Sequence, residues 1–158
     1  MRVGHGFDAH RLVEGRQLVI GGVRIASDRG ALGHSDADVL THAVSDALLG
    51  AAALGDLGAH FPDTDPRWEG ADSMHLLESC VAQLHGAGFR VENIDATVVL
   101  QHPKLSTYLD EMRALLAARL CVAVGRVSVK AKTSEGMGYT GDGSGIAAYA
   151  VACVVSSE

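Results

Sequence analysis

The stretch DADVLTHAVSDALLGAAAL, residues 36–54, carries the clearest structural pattern in this sequence. Its apolar residues recur at three- and four-residue spacing, which places them along one side of an α-helix. That apolar side comprises Val39, Leu40, Ala43, Val44, Ala47, Leu48 and Ala51. Ser35 or Asp36 is a suitable N-cap, because a short polar side chain there accepts a hydrogen bond from a free backbone N–H group. We therefore predict an amphipathic helix over residues 36–54.

The segments around this helix have either the two-residue period of strands or the helical period. Gly21-Gly22 between two short apolar runs predicts a β-hairpin, because glycine adopts the positive φ angles of a tight turn. The predicted strands span residues 2–10, 18–20, 23–25, 91–100, 127–131 and 146–155. The other predicted helices span residues 72–85 and 105–121, and loops are predicted at 28–30, 55–70 and 134–145.

This order of elements predicts an α/β fold of the two-layer α+β type, in which helices pack on one face of a mixed β-sheet. The chain has 158 residues, the length of one domain, which we expect to span residues 1–158. It contains 19 glycines but only three Phe, three Tyr and one Trp, so its core must consist of closely packed small aliphatic side chains. The second face of the sheet needs a cover, which predicts a homo-oligomer.

The composition excludes several classes of protein. A net charge of -6 argues against a nucleic-acid partner or an anionic membrane surface. No apolar run approaches the ~20 residues of a membrane span, and the N-terminal segment is too polar for a signal peptide. Three cysteines without a CxxC pair are typical of buried thiols in a reducing compartment. We expect a soluble, cytoplasmic protein that binds neither nucleic acid nor membrane.

Three residues have the types and spacing of a metal site. Asp8 and His10 alternate along a predicted strand, so their side chains point to the same side, and His42 lies in the first predicted helix. Three such ligands with an open fourth position are the pattern of catalytic zinc. Asp38 or Asp46 could then bind the second nitrogen of His42. The alternatives are a polar strand end and a hydrogen-bonded core histidine.

Three further segments have polar groups suited to a phosphorylated ligand. His34-Ser35 precedes a helix, where free N–H groups attract anions; otherwise Ser35 is only a cap. The carboxylates of residues 56–65 suit hydroxyl groups or a hard cation, unless this loop is merely solvated. Residues 130–136 offer lysines and hydroxyls to phosphate and Glu135 to Mg²⁺, but match neither a Walker loop nor a dinucleotide motif. The alternative there is a flexible glycine loop.

Four blocks of this sequence resemble the 2-C-methyl-D-erythritol 2,4-cyclodiphosphate synthase family of non-mevalonate isoprenoid (terpenoid) biosynthesis. They are GHGFDAHRL (4–12), GHSDADVLTHAVSDALLGAAALGDLG (33–58), FPDTDPRWEGADS (61–73) and KAKTSEGMGYTG (130–141). The resemblance implies a homotrimer whose sheets face the threefold axis and whose active sites lie between subunits. It also implies a phosphorus–oxygen lyase that converts 4-diphosphocytidyl-2-C-methyl-D-erythritol 2-phosphate to the 2,4-cyclodiphosphate and CMP.

The resemblance also assigns roles to individual residues. Asp8, His10 and His42 would hold one Zn²⁺ per site, and Glu135 would hold Mg²⁺ or Mn²⁺. His34 and Thr133 would be catalytic. The residues that would contact the cytidine-diphosphate substrate are Ser35, Asp46, Asp56, Leu57, Gly58, Phe61, Pro62, Asp63, Thr64, Asp65, Leu100, Lys104, Leu105, Ser106, Ala131, Lys132, Ser134 and Tyr139.

One pair of positions departs from the family pattern. Asp142 and Ser144 stand where many family members carry Arg and Glu. The family's Arg lies near the threefold axis, where an isoprenoid diphosphate can bind, and Asp142 would repel a diphosphate there. Two other functions remain open from the residues. One is a non-catalytic trimeric protein that binds metal or nucleotide, and the other is a zinc phosphoester hydrolase.

Overall fold

A computed structural model describes residues 1–157 of the chain. The strands are β1 Arg2–Glu14, β2 Leu18–Ile20, β3 Val23–Ile25, β4 Arg29–Leu32, β5 Phe89–Val99, β6 Val127–Lys132 and β7 Gly145–Ser156. The helices are α1 Val39–Ala51, α2 Leu57–His60, α3 Ser73–Gly86, α4 Leu109–Leu120 and α5 Gly138–Gly141. Single 3₁₀ turns span Pro66–Trp68 and Val124–Arg126.

Five of the strands form one mixed sheet in the order β4-β1-β7-β5-β6, and β2 pairs with β3 as a separate hairpin. The β5–β6 pair is parallel, whereas the other pairs in the sheet are antiparallel. Helices α1, α3 and α4 pack on one face of the sheet. The predicted class, a mixed sheet with helices on one face, is therefore confirmed.

Two glycines of β1 let helix α1 lie directly on the strand backbone. A Cβ atom added to Gly4 would lie 1.9 Å from the carbonyl oxygen of Ala47, and one added to Gly6 would lie 1.8 Å from that of Ala43. Neither position accepts any side chain unless the helix moves away. The next two residues with the same orientation on β1 are Asp8 and His10, so this close approach also positions them near α1.

The other face of the sheet is exposed and partly apolar. Val3, Phe7, Tyr149 and Val151 are 43–65% exposed, and all four alternate with the residues that face the helices. Phe7 lies opposite Tyr149 in the strand register, and their ring centroids are 5.0 Å apart. We call Val3, Phe7, Tyr149 and Val151 the open face.

Helix α1 begins later than predicted, at Val39, and its N-cap is Asp38 instead of Ser35 or Asp36. The Asp38 side chain accepts hydrogen bonds from the backbone N–H groups of Thr41, Gly21 and Gly22, at 3.0, 2.8 and 2.7 Å. One fully buried carboxylate thus caps the helix and fastens the β2–β3 turn to it. Because the turn is distant in sequence, local cap preferences could not identify this residue.

Other predicted boundaries also change. The hairpin strands and the bounds of α3 agree with the prediction, and Asp72 is the N-cap of α3. Residues 29 and 30, predicted as part of a loop, instead form the start of strand β4. The two long loops contain the short helices α2 and α5, and α4 begins at Leu109 rather than residue 105. Each short helix is a single turn, too brief for periodicity to reveal.

The three cysteines occupy different environments. Cys80 is buried, and burial raises the pKa of its thiol to about 12. Cys153 is half-buried, but Cys121 is exposed at the C-terminal end of α4, so the prediction of buried thiols is wrong for Cys121. Within residues 1–157, no helix combines the length and the apolar character needed to cross a membrane.

Candidate active site

Asp8, His10 and His42 converge where β1 meets α1. Oδ2 of Asp8 lies 2.8 Å from Nε2 of His10 and 2.9 Å from Nδ1 of His42. The two imidazole nitrogens are 3.4 Å apart. One ligand atom from each residue therefore lies within 4.8 Å of the other two. The structure brings together the three residues that the sequence singled out as metal ligands.

The electrostatics of this cluster favour a charged carboxylate. Burial alone raises the pKa of Asp8, but the hydrogen bonds and charges of His10 and His42 outweigh burial and lower that pKa to about 2. Burial likewise lowers the pKa of His42, but the hydrogen bond with Asp8 and its negative charge raise it above its ordinary value. Asp8 is thus an anion throughout the physiological pH range.

The chemistry of these groups fits a zinc ion. Nδ1 of His10 lies 3.1 Å from the carbonyl oxygen of Leu32, which can only accept, so this nitrogen carries the proton. Nε2 of His10 shares a proton with Asp8 in this structure, and a metal ion that displaces this proton would bind the lone pair of Nε2. One carboxylate oxygen and two imidazole nitrogens around one point, with space for a fourth ligand, are what catalytic zinc sites use.

The second nitrogen of His42 has different partners from those predicted. Nε2 lies 2.8 Å from Oγ of Ser73 and 3.2 Å from Oγ of Ser35. Asp38 cannot reach it, because its carboxylate is occupied at the start of α1. Asp46 instead accepts a hydrogen bond from the backbone N–H of Leu57 at 2.7 Å. The prediction that Asp38 or Asp46 orients His42 is therefore wrong.

The cluster opens into a cavity of about 470 Å³. Eleven of the predicted site residues line it: Asp8, His10, His34, Ser35, His42, Asp46, Leu57, Gly58, Phe61, Pro62 and Asp63. Burial and the charges of Asp56 and Asp8 raise the pKa of Asp46 against the hydrogen bond from Leu57. This cavity combines the metal ligands with the polar loop that follows α1.

Three predicted residues of that loop do not line the cavity. The Asp56 carboxylate caps α2 by accepting from the N–H of Ala59 at 2.9 Å. The Asp65 carboxylate pairs with Arg67 at 2.6 Å, and its carbonyl oxygen accepts from Nε2 of His34 at 3.2 Å. Thr64 lies on the same segment. In this structure Asp56 and Asp65 shape the loop that carries the lining residues.

A second cavity, of about 140 Å³, lies near the end of β6. Seven predicted residues line it: Leu100, Lys104, Leu105, Ser106, Ala131, Lys132 and Thr133. Thr133 Oγ1 donates to the exposed carboxylate of Glu135 at 3.0 Å. Ser134 instead forms a hydrogen bond with Thr140 at 2.6 Å, and Tyr139 lines a third cavity beside His10 and Arg11.

The two cavities lined by most of the predicted site residues lie toward opposite edges of the sheet within one chain. The register aligns Asp8 with Ala148, Ala148 with Val98, and Val98 with Ala131. Asp8 and Ala131 are therefore three strand spacings apart, about 14 Å. The cavities share no lining residue. A single chain does not bring Thr133 and Glu135 to the Asp8–His10–His42 cluster.

Sequence reasoning missed two residues near the cluster. Trp68 lines the 470 Å³ cavity, its ring stands perpendicular to that of Phe61, and its buried Nε1 has no hydrogen-bond partner among the described residues. Ser73 falls within the predicted helix over residues 72–85, yet its hydroxyl also contacts Nε2 of His42 at 2.8 Å. Nothing in the local sequence reveals that contact, because 31 positions separate the two residues.

Comparisons with known proteins match nearly the whole chain. The chain is 58% identical to the 2-C-methyl-D-erythritol 2,4-cyclodiphosphate synthase of Burkholderia lata, over 98% of this chain and 96% of that protein. A solved 2C-methyl-D-erythritol-2,4-cyclodiphosphate synthase with bound CDP matches 98% of this chain and 100% of its own, with 38% identity and a TM-score of 0.90.

A larger protein also contains this fold. The bifunctional IspDF of Campylobacter jejuni matches 97% of this chain with 40% identity and a TM-score of 0.93, and this chain spans 42% of that protein. Residues 1–155 match the YgbB family. Given this match over nearly its full length, the chain belongs to the YgbB family.

Proposed function

We propose that this protein is a cyclising lyase that converts 4-diphosphocytidyl-2-C-methyl-D-erythritol 2-phosphate to 2-C-methyl-D-erythritol 2,4-cyclodiphosphate and CMP. The observation that carries the proposal is the Asp8–His10–His42 cluster, which lines a cavity of about 470 Å³. The relatives named for this reaction support it, at 58% identity over nearly the full chain.

The reaction needs positioning and charge stabilisation more than proton transfer. An oxygen of the 2-phosphate attacks the β-phosphorus, the bond from that phosphorus to the bridging oxygen breaks, and CMP leaves with that oxygen. The nucleophile is already anionic near neutral pH, so no general base is required. Holding both phosphates in line supplies much of the rate, because the attack is intramolecular.

The groups that would bind the metal ions and the phosphates lie in and beside the two cavities. Asp8, His10 and His42 would hold Zn²⁺, which when bound supplies positive charge to the β-phosphate oxygens. Glu135 fits the single-carboxylate role in a Mg²⁺ or Mn²⁺ site that substrate phosphates complete. His34 and Thr133 would bind phosphate oxygens as charge builds up. Together these groups offset the negative charge of the substrate in a protein that is itself acidic.

The remaining lining residues would bind the two ends of the substrate. The methylerythritol hydroxyls would contact Asp46, Asp63 and the backbone of Leu57–Gly58, all in the 470 Å³ cavity. Cytidine would occupy the smaller cavity beside Lys104 and Ala131. Asp56, Thr64 and Asp65 would support the loop, while Ser134 and Tyr139 belong to the glycine-rich segment at the same end of the sheet.

A homotrimer accounts for the separation of the cavities. The diphosphate must meet both Asp8–His10–His42 and Thr133–Glu135, which lie near opposite edges of the sheet in one chain. A neighbouring subunit can supply the second group, provided that the sheets pack through the open face. The exposed apolar side chains of that face support such packing.

A shared site predicts complementation between inactive variants. His42→Ala removes a ligand from one half of the site, and a Thr133→Val, Glu135→Gln double variant removes polar groups from the other. In mixed oligomers from co-expressed, differently tagged chains, we expect about a quarter of wild-type activity, because random mixing leaves that share of sites intact. Activity no greater than the sum of the two parents would show that each chain contains a complete site.

The reaction itself is tested with purified protein, the cytidyl substrate, Zn²⁺ and Mg²⁺. We expect equimolar CMP and cyclodiphosphate, measured by phosphorus NMR, and loss of both products after chelation. CMP with a linear bisphosphate would indicate a zinc phosphoester hydrolase. Binding of CDP without turnover would indicate a non-catalytic metal or nucleotide binder. Either result would overturn the proposed synthase.

A further inference from the structure

The second nitrogen of His42 is held by a chain of hydrogen bonds that ends on a carboxylate. Nε2 of His42 lies 2.8 Å from Oγ of Ser73, and the Ser73 hydroxyl donates a hydrogen bond to Oδ1 of Asp36. Ser35 Oγ is a longer contact of the same nitrogen, at 3.2 Å. The opposite nitrogen, Nδ1, faces Asp8.

The directions of these hydrogen bonds determine where the imidazole proton sits. An ionised carboxylate can only accept, so the single hydroxyl hydrogen of Ser73 points to Asp36. Ser73 Oγ can then only accept from His42, which puts a proton on Nε2. Nδ1 faces the Asp8 carboxylate, with which it shares a proton, and a metal ion that displaces this proton would bind the lone pair of Nδ1.

Asp36 is itself fixed on several sides. Its Oδ2 accepts from the backbone N–H of Ser73 at 3.1 Å, and its Oδ1 accepts from that of Asp38 at 3.1 Å. The N–H of Asp36 donates to the carbonyl oxygen of Ala71 at 3.1 Å. Ser73 is fully buried at the first position of α3. These hydrogen bonds hold the half-buried Asp36 carboxylate against the buried Ser73.

We propose that Ser73 and Asp36 are positioning residues that fix the tautomer and orientation of His42 for metal binding. The inference rests on the proposed metal site and deepens it. Ser73 directly follows the loop 61–72, so its hydrogen bond with His42 also connects that loop to the proposed metal site. A histidine ligand whose other nitrogen donates to a fixed acceptor binds metal more tightly, and loss of the acceptor typically costs affinity.

The test compares two buried serines. Ser73→Ala removes the acceptor, and we expect the dissociation constant for Zn²⁺, measured by competition with a chromophoric chelator, to rise about 10- to 100-fold. Ser45→Ala is the matched control, because Ser45 is also buried and lies on α1 but donates to the carbonyl of Thr41. Its affinity for Zn²⁺ should equal that of the wild type. The Ser35 contact is why the expected loss is partial.

Two further measurements separate positioning from general structural damage. In ¹⁵N-resolved NMR, the wild type and Ser45→Ala should show a slowly exchanging Nε2 proton on His42, and Ser73→Ala should lose it. Asp36→Asn keeps the shape of the side chain but replaces one accepting oxygen with a donating NH₂ group. The N–H and the hydroxyl of Ser73 then cannot both donate to this side chain, so the variant should also weaken Zn²⁺ binding. Ser73→Thr retains the hydroxyl and should restore affinity relative to Ser73→Ala.

The outcomes distinguish this inference from the proposed function. If the wild type itself binds Zn²⁺ only weakly, the proposed metal site fails. If the wild type binds tightly and Ser73→Ala binds equally tightly with the Nε2 proton unchanged, the positioning role is overturned. If Ser73→Ala does not fold, Asp36→Asn decides: unchanged affinity and an unchanged proton signal would overturn the role in the same way.

Discussion

Replacing His42 with alanine should leave a folded protein that retains no zinc after dialysis and turns over about a thousandfold more slowly or worse. The reason is geometric, because His42 supplies one of only three protein ligand atoms in the cluster. Asp8 and His10 alone leave the ion with two protein ligands, too few for the usual tetrahedral site. Zinc content is measured by elemental analysis and turnover by CMP release.

The matched control is His75→Ala. His75 is exposed on α3, where its ring lies 3.9 Å from Asp72 and does not line the cavity. Zinc content and turnover should both equal those of the wild type. A His42→Ala protein that kept its zinc and its rate would remove His42 from the metal site and would leave the proposed mechanism without its main source of charge.

Gly6→Ala should destabilise the protein by about 3 kcal/mol or more, because it overpacks a contact between two backbones. The added Cβ would lie 1.8 Å from the carbonyl oxygen of Ala43 and 2.8 Å from the backbone nitrogen of Ala47. These atoms belong to α1 and cannot rotate away as a flexible side chain could. Urea denaturation at a fixed protein concentration measures the loss, because assembly contributes to apparent stability.

Gly50→Ala, on helix α1, should have the opposite effect on stability from Gly6→Ala. An added Cβ there would meet only the carbonyl oxygen of His5, at 3.9 Å, and Gly50 has ordinary helical backbone angles. Alanine should stabilise the helix by about 0.5–1 kcal/mol. If Gly6→Ala unfolded at the same urea concentration as the wild type, helix α1 could not lie as close to β1 as the structure places it.

The sequence pattern predicted those parts of the fold that are determined by residues close together in the chain. The Gly21-Gly22 turn predicted the hairpin, and the predicted helix over residues 72–85 agrees with α3 to within one residue at each end. The start of α1 was wrong because Ser35, Asp36 and Asp38 all have capping side chains. The choice among them depends on a hydrogen bond from the β2–β3 turn, a contact that periodicity cannot report.

The candidate site likewise contains features that the sequence pattern predicted and features that it could not predict. Alternation along β1 and the helical position of His42 predicted that three metal ligands would meet, and they do. The partner of the second His42 nitrogen was not predictable, because Ser73 reaches it from another helix. The separation of the cavities required the strand order, since residues 8 and 131 face the same side but lie on non-adjacent strands.

Because of the glycines of β1, the metal ligands are held in place by the fold before a metal ion binds. Two ligands lie on a strand and the third on a helix that touches that strand backbone to backbone, so all three are held by regular structure before any ion arrives. Binding then needs no loop to be ordered, and the entropy cost of fixing the ligands has already been met by folding. The affinity for the ion should therefore depend mainly on the bonds that it forms.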